Sequence, residues 1–274
     1  MDKVVLIIGY GKMGRIYGKY MDEFNVSWNY YDIYIDGGLD KLSDLYEYSH
    51  ILISTPPENH YDVYKEIKGL NFDGMIYIDK PIIISYNHMD IFEDENVFCG
   101  MTERYNPAVV VLKSLLDVDK LTSIKFSRYS TVPENMTVPV LFDLGIHDLD
   151  LYLYLLDFDK FPTTYDVFEK SKTCYILAQQ NDILSIFEWS HESNRRERKI
   201  VVLQKDTVYE VDLIDQTVVS HGEGGVVQNL YVPKAQPLEK VMKSFLNDEK
   251  CTAEESHCFM LAVMYTKWNR ESGL

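Results

Sequence analysis

The run VVLIIGYGKMG, Val4 to Gly14, constrains this chain more than any other part of it. Apolar, mostly β-branched residues stop at a glycine, and further glycines follow at 11 and 14. Such a run reads as a strand buried on both faces, and glycines at that spacing turn it directly into a helix packed close against it. A strand that passes at once into a helix belongs to a parallel sheet, because the chain must cross back over the sheet before the next strand can align.

The first hundred residues repeat the pattern. Strands are predicted at Val26–Tyr31, Ile51–Thr55, Met75–Ile78 and Asn96–Met101 as well as Val4–Ile8. Helices are predicted from Lys12 to Phe24 and from Asn59 to Lys68, with a less regular helical pattern from Asp40 to Tyr48. Beyond Asn106 come a helix at Pro107–Leu116, a strand at Leu121–Tyr129 and a long helix at Pro139–Leu156. Strand-like runs follow at Tyr175–Leu177, Leu184–Trp189, Lys199–Gln204, Thr207–Leu213 and Thr217–Ser220, and helices at Leu238–Leu246 and Ala253–Trp268 close the chain. The expected fold class is α/β: an N-terminal Rossmann-type dinucleotide-binding domain, 1–103, and a C-terminal α+β domain, 104–274, with a mostly antiparallel open sheet. A length of 274 residues leaves room for both cores.

Charge excludes some partners. The chain has 27 Lys+Arg against 43 Asp+Glu, a formal charge of −16, which repels phosphate backbones and anionic lipid. Neither nucleic acid nor membrane is therefore an expected partner, and Arg195, Arg196, Arg198 and Lys199 read as a solvated turn between strands. Four cysteines without a CxxC pair point to a reducing compartment. Cys251 and Cys258, seven apart in a helical-looking segment, read as core thiols. The first apolar run ends at Gly9, far short of a signal sequence or a membrane span, so the expected location is the cytoplasm.

Four segments carry chemistry. In GYGKMG, Gly9 allows the turn, Gly11 lets backbone approach a pyrophosphate, and Gly14 permits close helix–strand packing, with Lys12 and Met13 in the first helical turn. Asp32, at the end of the second strand, is placed to accept hydrogen bonds from a ribose and favours NAD over NADP. STPPENH follows the third strand, so Ser54, Thr55, Pro56 and His60 sit at the carboxyl edge of the sheet, where ligands of open α/β folds bind. DKP follows the fourth strand and brings Asp79 and Lys80 to the same edge, with Pro81 cis or trans. DLGIHDLD places Asp143 and His147 four apart on one helical face. A histidine exchanges protons near neutral pH, a nearby carboxylate tunes it, and a lysine supports an oxygen gaining negative charge, which together suit oxidation of a secondary alcohol beside a nicotinamide. Each segment alone has a plainer reading: a glycine turn that binds nothing, a structural His60, a surface Lys80, a helix with solvated acids. No second His or Cys stands at metal-ligand spacing, so no metal is expected.

Taken in order, GYGKMG, STPPENH, DKP, ERYNP and DLGIHDLD resemble the Gfo/Idh/MocA oxidoreductases, which include glucose–fructose oxidoreductase and inositol dehydrogenase. The resemblance runs from the first strand to about Leu156, with an echo in QPLEKVMKSFL. It implies a nicotinamide cofactor, NAD or NADP, and a polyol or sugar substrate. It also implies Lys80 as the residue that polarises the reacting oxygen, His147 as acid/base, and Asp143 holding substrate and tuning His147, with Asp150 at the motif's last position. The family's open sheet often forms oligomer interfaces, which implies a homodimer or homotetramer. Arg104, Tyr105 and Lys234 are further candidates for substrate contacts. The chain departs from the family in having DKP for EKP, in lacking a Gly-rich turn before Asp143, and in a compactness that suggests a trimmed second domain. The same fold with its cofactor also serves two other readings, a non-catalytic cofactor-sensing regulator and a redox-assisted glycoside-cleaving enzyme that retains NAD.

Overall fold

The computed structural model describes residues 3–43, 45–131 and 138–272, with only the backbone for 266–272. It has two compact units: Met1–Met101 with Leu238–His257, and Thr102–Pro237 with Cys258–Leu274.

The first unit is built on a five-stranded sheet in the order β2-β1-β3-β4-β5. Its strands are β1 (Val4–Ile8), β2 (Ser27–Tyr31), β3 (His50–Ile53), β4 (Met75–Ile78) and β5 (Val97–Cys99), and every pairing is parallel. The three central strands are nearly all buried, which is why they read as unbroken apolar runs, whereas β2 at the edge is half-buried and reads SWNYY. Helices α1 (Lys12–Glu23) and α2 (His60–Gly69) make two of the crossovers. The other two lack the α-helix. A 3₁₀ turn at Leu45–Glu47 takes the place of the helical pattern expected over 40–48, and a longer 3₁₀ segment, Tyr86–Glu93, starts where Ser85 Oγ accepts from the Asn87 N–H. Because β1 lies between β2 and β3, chain direction switches there, and the loops leaving β1 and β3 stand side by side at the carboxyl edge.

Helix α5 (Pro237–Leu246) belongs to this unit rather than to the second domain where the sequence reading put it. Val241, Met242 and Phe245 are completely buried, and the Phe245 ring meets Tyr77, Phe98 and His50 edge-on. An amphipathic pattern shows that a helix has an apolar face but not which core receives it. Cys251 lies ahead of α6 (Glu254–Ser272), not within a helix, and its carbonyl accepts the Cys99 N–H at 2.8 Å.

An eight-stranded sheet forms the second unit, in the order β13-β12-β11-β10-β6-β9-β8-β7. The strands are β6 (Leu121–Thr131), β7 (Thr164–Lys170), β8 (Thr173–Gln180), β9 (Ile183–Ser190), β10 (Glu192–Gln204), β11 (Thr207–Asp212), β12 (Thr217–His221) and β13 (Val227–Leu230). Only β6 and β9 pair in parallel. Alternate residues face one side, where Ile124, Phe126, Arg128, Ile176, Phe187, Trp189, Ile200 and Val202 are buried. Helix α3 (Pro107–Leu115) starts at Asn106, whose Oδ1 accepts the Ala108 N–H, and α4 (Ile146–Leu156) brings Tyr152 against Phe187. The opposite side leaves Phe168, Tyr175, Leu177, Leu184 and Leu203 exposed. Strands β7 and β13 were not foreseen. Both are edge strands with mostly exposed residues, and neither holds the apolar run that marks a buried strand.

Candidate active site

Glycine decides the geometry of the first loop. Gly9 has φ +91°, and a Cβ there would lie 2.8 Å from the Thr55 nitrogen, while one on Gly14 would lie 2.2 Å from the Gly9 oxygen. The loop is further closed by Ser54 Oγ donating to the Gly9 carbonyl at 2.7 Å and by the Ser54 N–H donating to Ile8 at 2.9 Å. Gly11 behaves differently. It is the N-cap of α1, and a Cβ on it would meet nothing within 4 Å. No side chain caps α1, its first turn has no acidic residue, and exposed Lys12 and half-buried Met13 begin it. An uncapped helix start with positive partial charge and open space before it suits a diphosphate.

Asp32 stands beside this loop. Its Oδ2 accepts the Tyr10 N–H at 2.7 Å and its Oδ1 accepts the Tyr34 N–H at 2.8 Å, leaving each oxygen a lone pair for a ribose hydroxyl. Tyr10 stacks on Tyr30 with ring centroids 3.9 Å apart, and the Arg15 guanidinium lies over the Tyr10 ring. Thr55 Oγ1 is buried without a hydrogen-bond partner among the described residues, at the carboxyl end of β3. Pro56, exposed, precedes the 3₁₀ turn Pro57–Asn59. These features fit a dinucleotide.

His60 does not contact open space as a cofactor ligand would. It is fully buried, with Nδ1 3.0 Å from the Pro81 carbonyl and Nε2 2.8 Å from the Thr55 carbonyl. Two carbonyls can both be served only by imidazolium, and burial holds the pKa of His60 below its ordinary value, so the neutral ring donates to one of them. Its role is to pin the segment after β4, where the Lys80–Pro81 peptide is cis. A second buried histidine, His257, pins the same segment: Nε2 accepts the Ile82 N–H at 3.0 Å while Nδ1 donates to the Ala253 carbonyl at 2.7 Å. Lys80 is thus held by backbone anchored next to it. Asp79 accepts from Tyr17 Oη at 2.5 Å and from Tyr77 Oη at 3.4 Å, and burial pushes its carboxyl up to about 6.

In the second unit Asp143 lies within a π-helical turn, Leu141–Gly145, that runs into α4, and half-buried His147 follows in the first turn of α4. Such wide turns recur at functional sites. Gly145 makes room for it, since a Cβ there would come 2.7 Å from Leu141 and 3.3 Å from the Trp189 ring. Residues 132–137, within the segment expected to lack a Gly-rich turn, lie outside the described residues.

The acids that follow are structural. Asp148 is buried and accepts from Arg128 (Nη2 at 2.6 Å) and from Trp189 Nε1 at 2.9 Å. Arg128 also donates to Glu103 at 2.9 Å, as Arg198 does at 2.8 Å. Burial alone would lower the pKa of Arg128, but Asp148 and Glu103 hold it well above its ordinary value. Asp150 receives a two-pronged bond from Arg104, Nε at 2.7 Å and Nη2 at 2.5 Å.

Arg104, expected as a substrate contact, anchors α4 through this fork to its carboxylate. Tyr105 ends the 3₁₀ turn Thr102–Tyr105, half-buried. Lys234 has a structural role too: its Nζ donates to the carbonyls of Asp215 and Gln216 and ties down the β11–β12 turn. Sequence reasoning passed over His191, whose Nε2 is 3.2 Å from Asp143 Oδ2. It also passed over His257. Neither role is signalled in the sequence, since Asp143 lies 48 residues from His191 and Ile82 lies 175 from His257. Among the described residues no three His, Cys, Asp or Glu side chains are grouped to hold a metal ion.

No family model and no curated protein matches the chain. Solved structures do. UDP-N-acetylglucosamine 3-dehydrogenase from Acidithiobacillus ferrooxidans superposes with a TM-score of 0.83 over 96% of each chain, at 17% identity. The chain has the fold of this oxidoreductase. A dehydrogenase from Clostridium difficile matches at TM-score 0.75 and 13% identity, over 97% of this chain and 100% of the other. An NAD binding oxidoreductase from Klebsiella pneumoniae matches at TM-score 0.77 and 12% identity, over 98% of both. Coverage this complete in both directions overturns the expectation of a trimmed second domain. Identities this low carry the fold and not the activity.

Asp79 supplies a test by pH. Its folded-state pKa of about 6 stands above the ordinary 3.8, so the wild type carries stability at low pH that it loses as pH rises through about 6. Relative to wild type, Asp79→Asn is expected to gain on the order of 2 kcal/mol between pH 4 and pH 7, with no further gain at higher pH, as read by urea denaturation. A difference independent of pH would contradict the burial of an ionisable carboxyl here.

Proposed function

We propose that the chain is an NAD(P)-dependent dehydrogenase acting on a secondary hydroxyl of a sugar, a sugar derivative or a cyclitol. The observation that carries this is the uncapped start of α1 behind Gly9, Gly11 and Gly14, with Asp32 beside it. Gly9, Gly11, Lys12, Met13 and Gly14 hold the diphosphate, Asp32 the ribose, and Ser54, Thr55 and Pro56 line the same edge. The Asp32 carboxylate repels a 2′-phosphate, so NAD is preferred over NADP. When bound, the nicotinamide supplies the hydride acceptor.

Lys80 donates a hydrogen bond to the reacting oxygen, which favours the charge that develops there. His147 takes the hydroxyl proton as the carbon loses its hydride, and returns it in the reverse direction. Asp143 stabilises the protonated imidazole and holds a neighbouring substrate hydroxyl. The sugar-nucleotide dehydrogenase among the similar structures supports a substrate of this class. Four cysteines in a chain of this length, with no CxxC pair, support a reducing, cytoplasmic setting.

A panel of sugars, sugar nucleotides and cyclitols, assayed with NAD and with NADP by absorbance of the reduced cofactor, tests the activity. For the substrate it finds, Lys80→Ala and His147→Ala should each lower kcat by at least about 100-fold while NADH binding, followed by fluorescence, persists. Turnover at the wild-type rate in either variant would remove its role.

The exposed side of the second sheet, with Phe168, Leu177, Leu184 and Leu203, supports a homodimer or homotetramer assembled through that face. Light scattering should give two or four times the 32.0 kDa chain mass. Leu177→Lys with Leu184→Lys should reduce the particle to one chain, and a monomeric wild type would overturn the assembly.

A further inference from the structure

His191 follows the last residue of β9, with its side chain 1% exposed and Nε2 3.2 Å from Oδ2 of Asp143. Its backbone N–H donates to the Lys172 carbonyl at 3.0 Å, which fixes its place beside β8. Two residues earlier, on β9, Trp189 donates to Asp148. One stretch of chain thus grips acids on both sides of His147, Asp143 before it and Asp148 after it. The two grips differ. Asp148 is buried and has Arg128 to neutralise it, whereas the Asp143 side chain is 26% exposed and this imidazole is the partner that orients Oδ2.

We propose that His191 is a positioning residue for Asp143. Resting on the dehydrogenase reading, the inference adds that His191, with a proton on Nε2, donates to Oδ2 and so fixes the plane of the carboxylate. With its plane fixed, the carboxylate meets substrate hydroxyls or the His147 ring in one orientation. A carboxylate free to rotate would spend part of its time turned away, and misplacement of a catalytic group by about 1 Å costs up to about 100-fold in rate. The imidazole acts through Asp143 and touches no reacting atom.

Three substitutions separate positioning from mere packing. Glutamine places its amide nitrogen near the Nε2 position, asparagine reaches only as far as Nδ1, and leucine fills space without donating. With the alcohol found by the substrate panel, His191→Gln should keep kcat within about 3-fold of wild type, and His191→Asn and His191→Leu should lose about 10-fold or more, with NADH binding unchanged. In an Asp143→Asn background, His191→Leu should add less than about 2-fold, because the group it positions is already lost.

Selective ¹⁵N-histidine NMR gives a readout independent of turnover. The His191 ring should show the proton on Nε2, and that resonance should move in Asp143→Ala. Equal rates for the three His191 variants, full additivity with Asp143→Asn, or a His191 resonance indifferent to Asp143→Ala would each overturn the proposal. If His191→Leu fails to fold, the Gln and Asn pair and the NMR comparison still decide. A wild type that oxidises no alcohol in the panel defeats the dehydrogenase reading itself, whereas an active wild type matched by His191→Asn defeats only the role of His191.

Discussion

Backbone approaches backbone at the carboxyl end of β1 more closely than any side chain would allow. The Gly9 carbonyl sits where a Cβ of residue 14 would be, and Gly9 adopts a φ that also presses it against Ser54 and Thr55. Without that contact α1 could not start directly above the sheet, and its N-terminal N–H groups would not face the crevice at the switch between β1 and β3. This approach is what brings the loops of Asp32, Ser54 and Thr55 together.

The second unit solves a different problem, how to aim a helix. Helix α4 carries His147, and two buried acids on either side of its axis fix its rotation: Asp148 through Arg128 and Trp189, and Asp150 through Arg104. Buried ion pairs of this kind contribute little net stability compared with apolar packing, but loss of one partner strands a charge. Their value here is orientation. Asp148 and Asp150 are thus committed to arginines, while Asp143 and His147 carry the proposed chemistry.

Much of this was legible in the sequence. The strands of the parallel sheet read clearly because β1, β3 and β4 are buried on both faces and their apolar runs are bounded by Gly, Ser or Asp. GYGKMG announced its own turn because only glycine tolerates those contacts. Edge strands β7 and β13 were invisible, since most of their residues are exposed and neither holds an apolar run. The structural roles of Arg104 and Lys234 were hidden for a common reason: a basic residue near a predicted cleft looks available until its partner is seen, here Asp150 for one and the carbonyls of Asp215 and Gln216 for the other. The roles of His191 and His257 were hidden because Asp143 and Ile82, which they hold, lie 48 and 175 residues away. Helix α5 was placed with the wrong core because its amphipathic face does not name the surface it covers.

Gly11 gives the most direct test of dinucleotide binding. A side chain there would meet nothing of the protein, yet it would occupy the space in front of α1. Calorimetric titration of NADH into the wild type should show one site per chain, and Gly11→Val should melt at the wild-type temperature while binding at least about 10-fold more weakly, a loss of about 1.4 kcal/mol. A wild type that takes up no pyridine nucleotide, or a valine variant that binds it equally well, would contradict the placement of the cofactor on which every catalytic assignment depends.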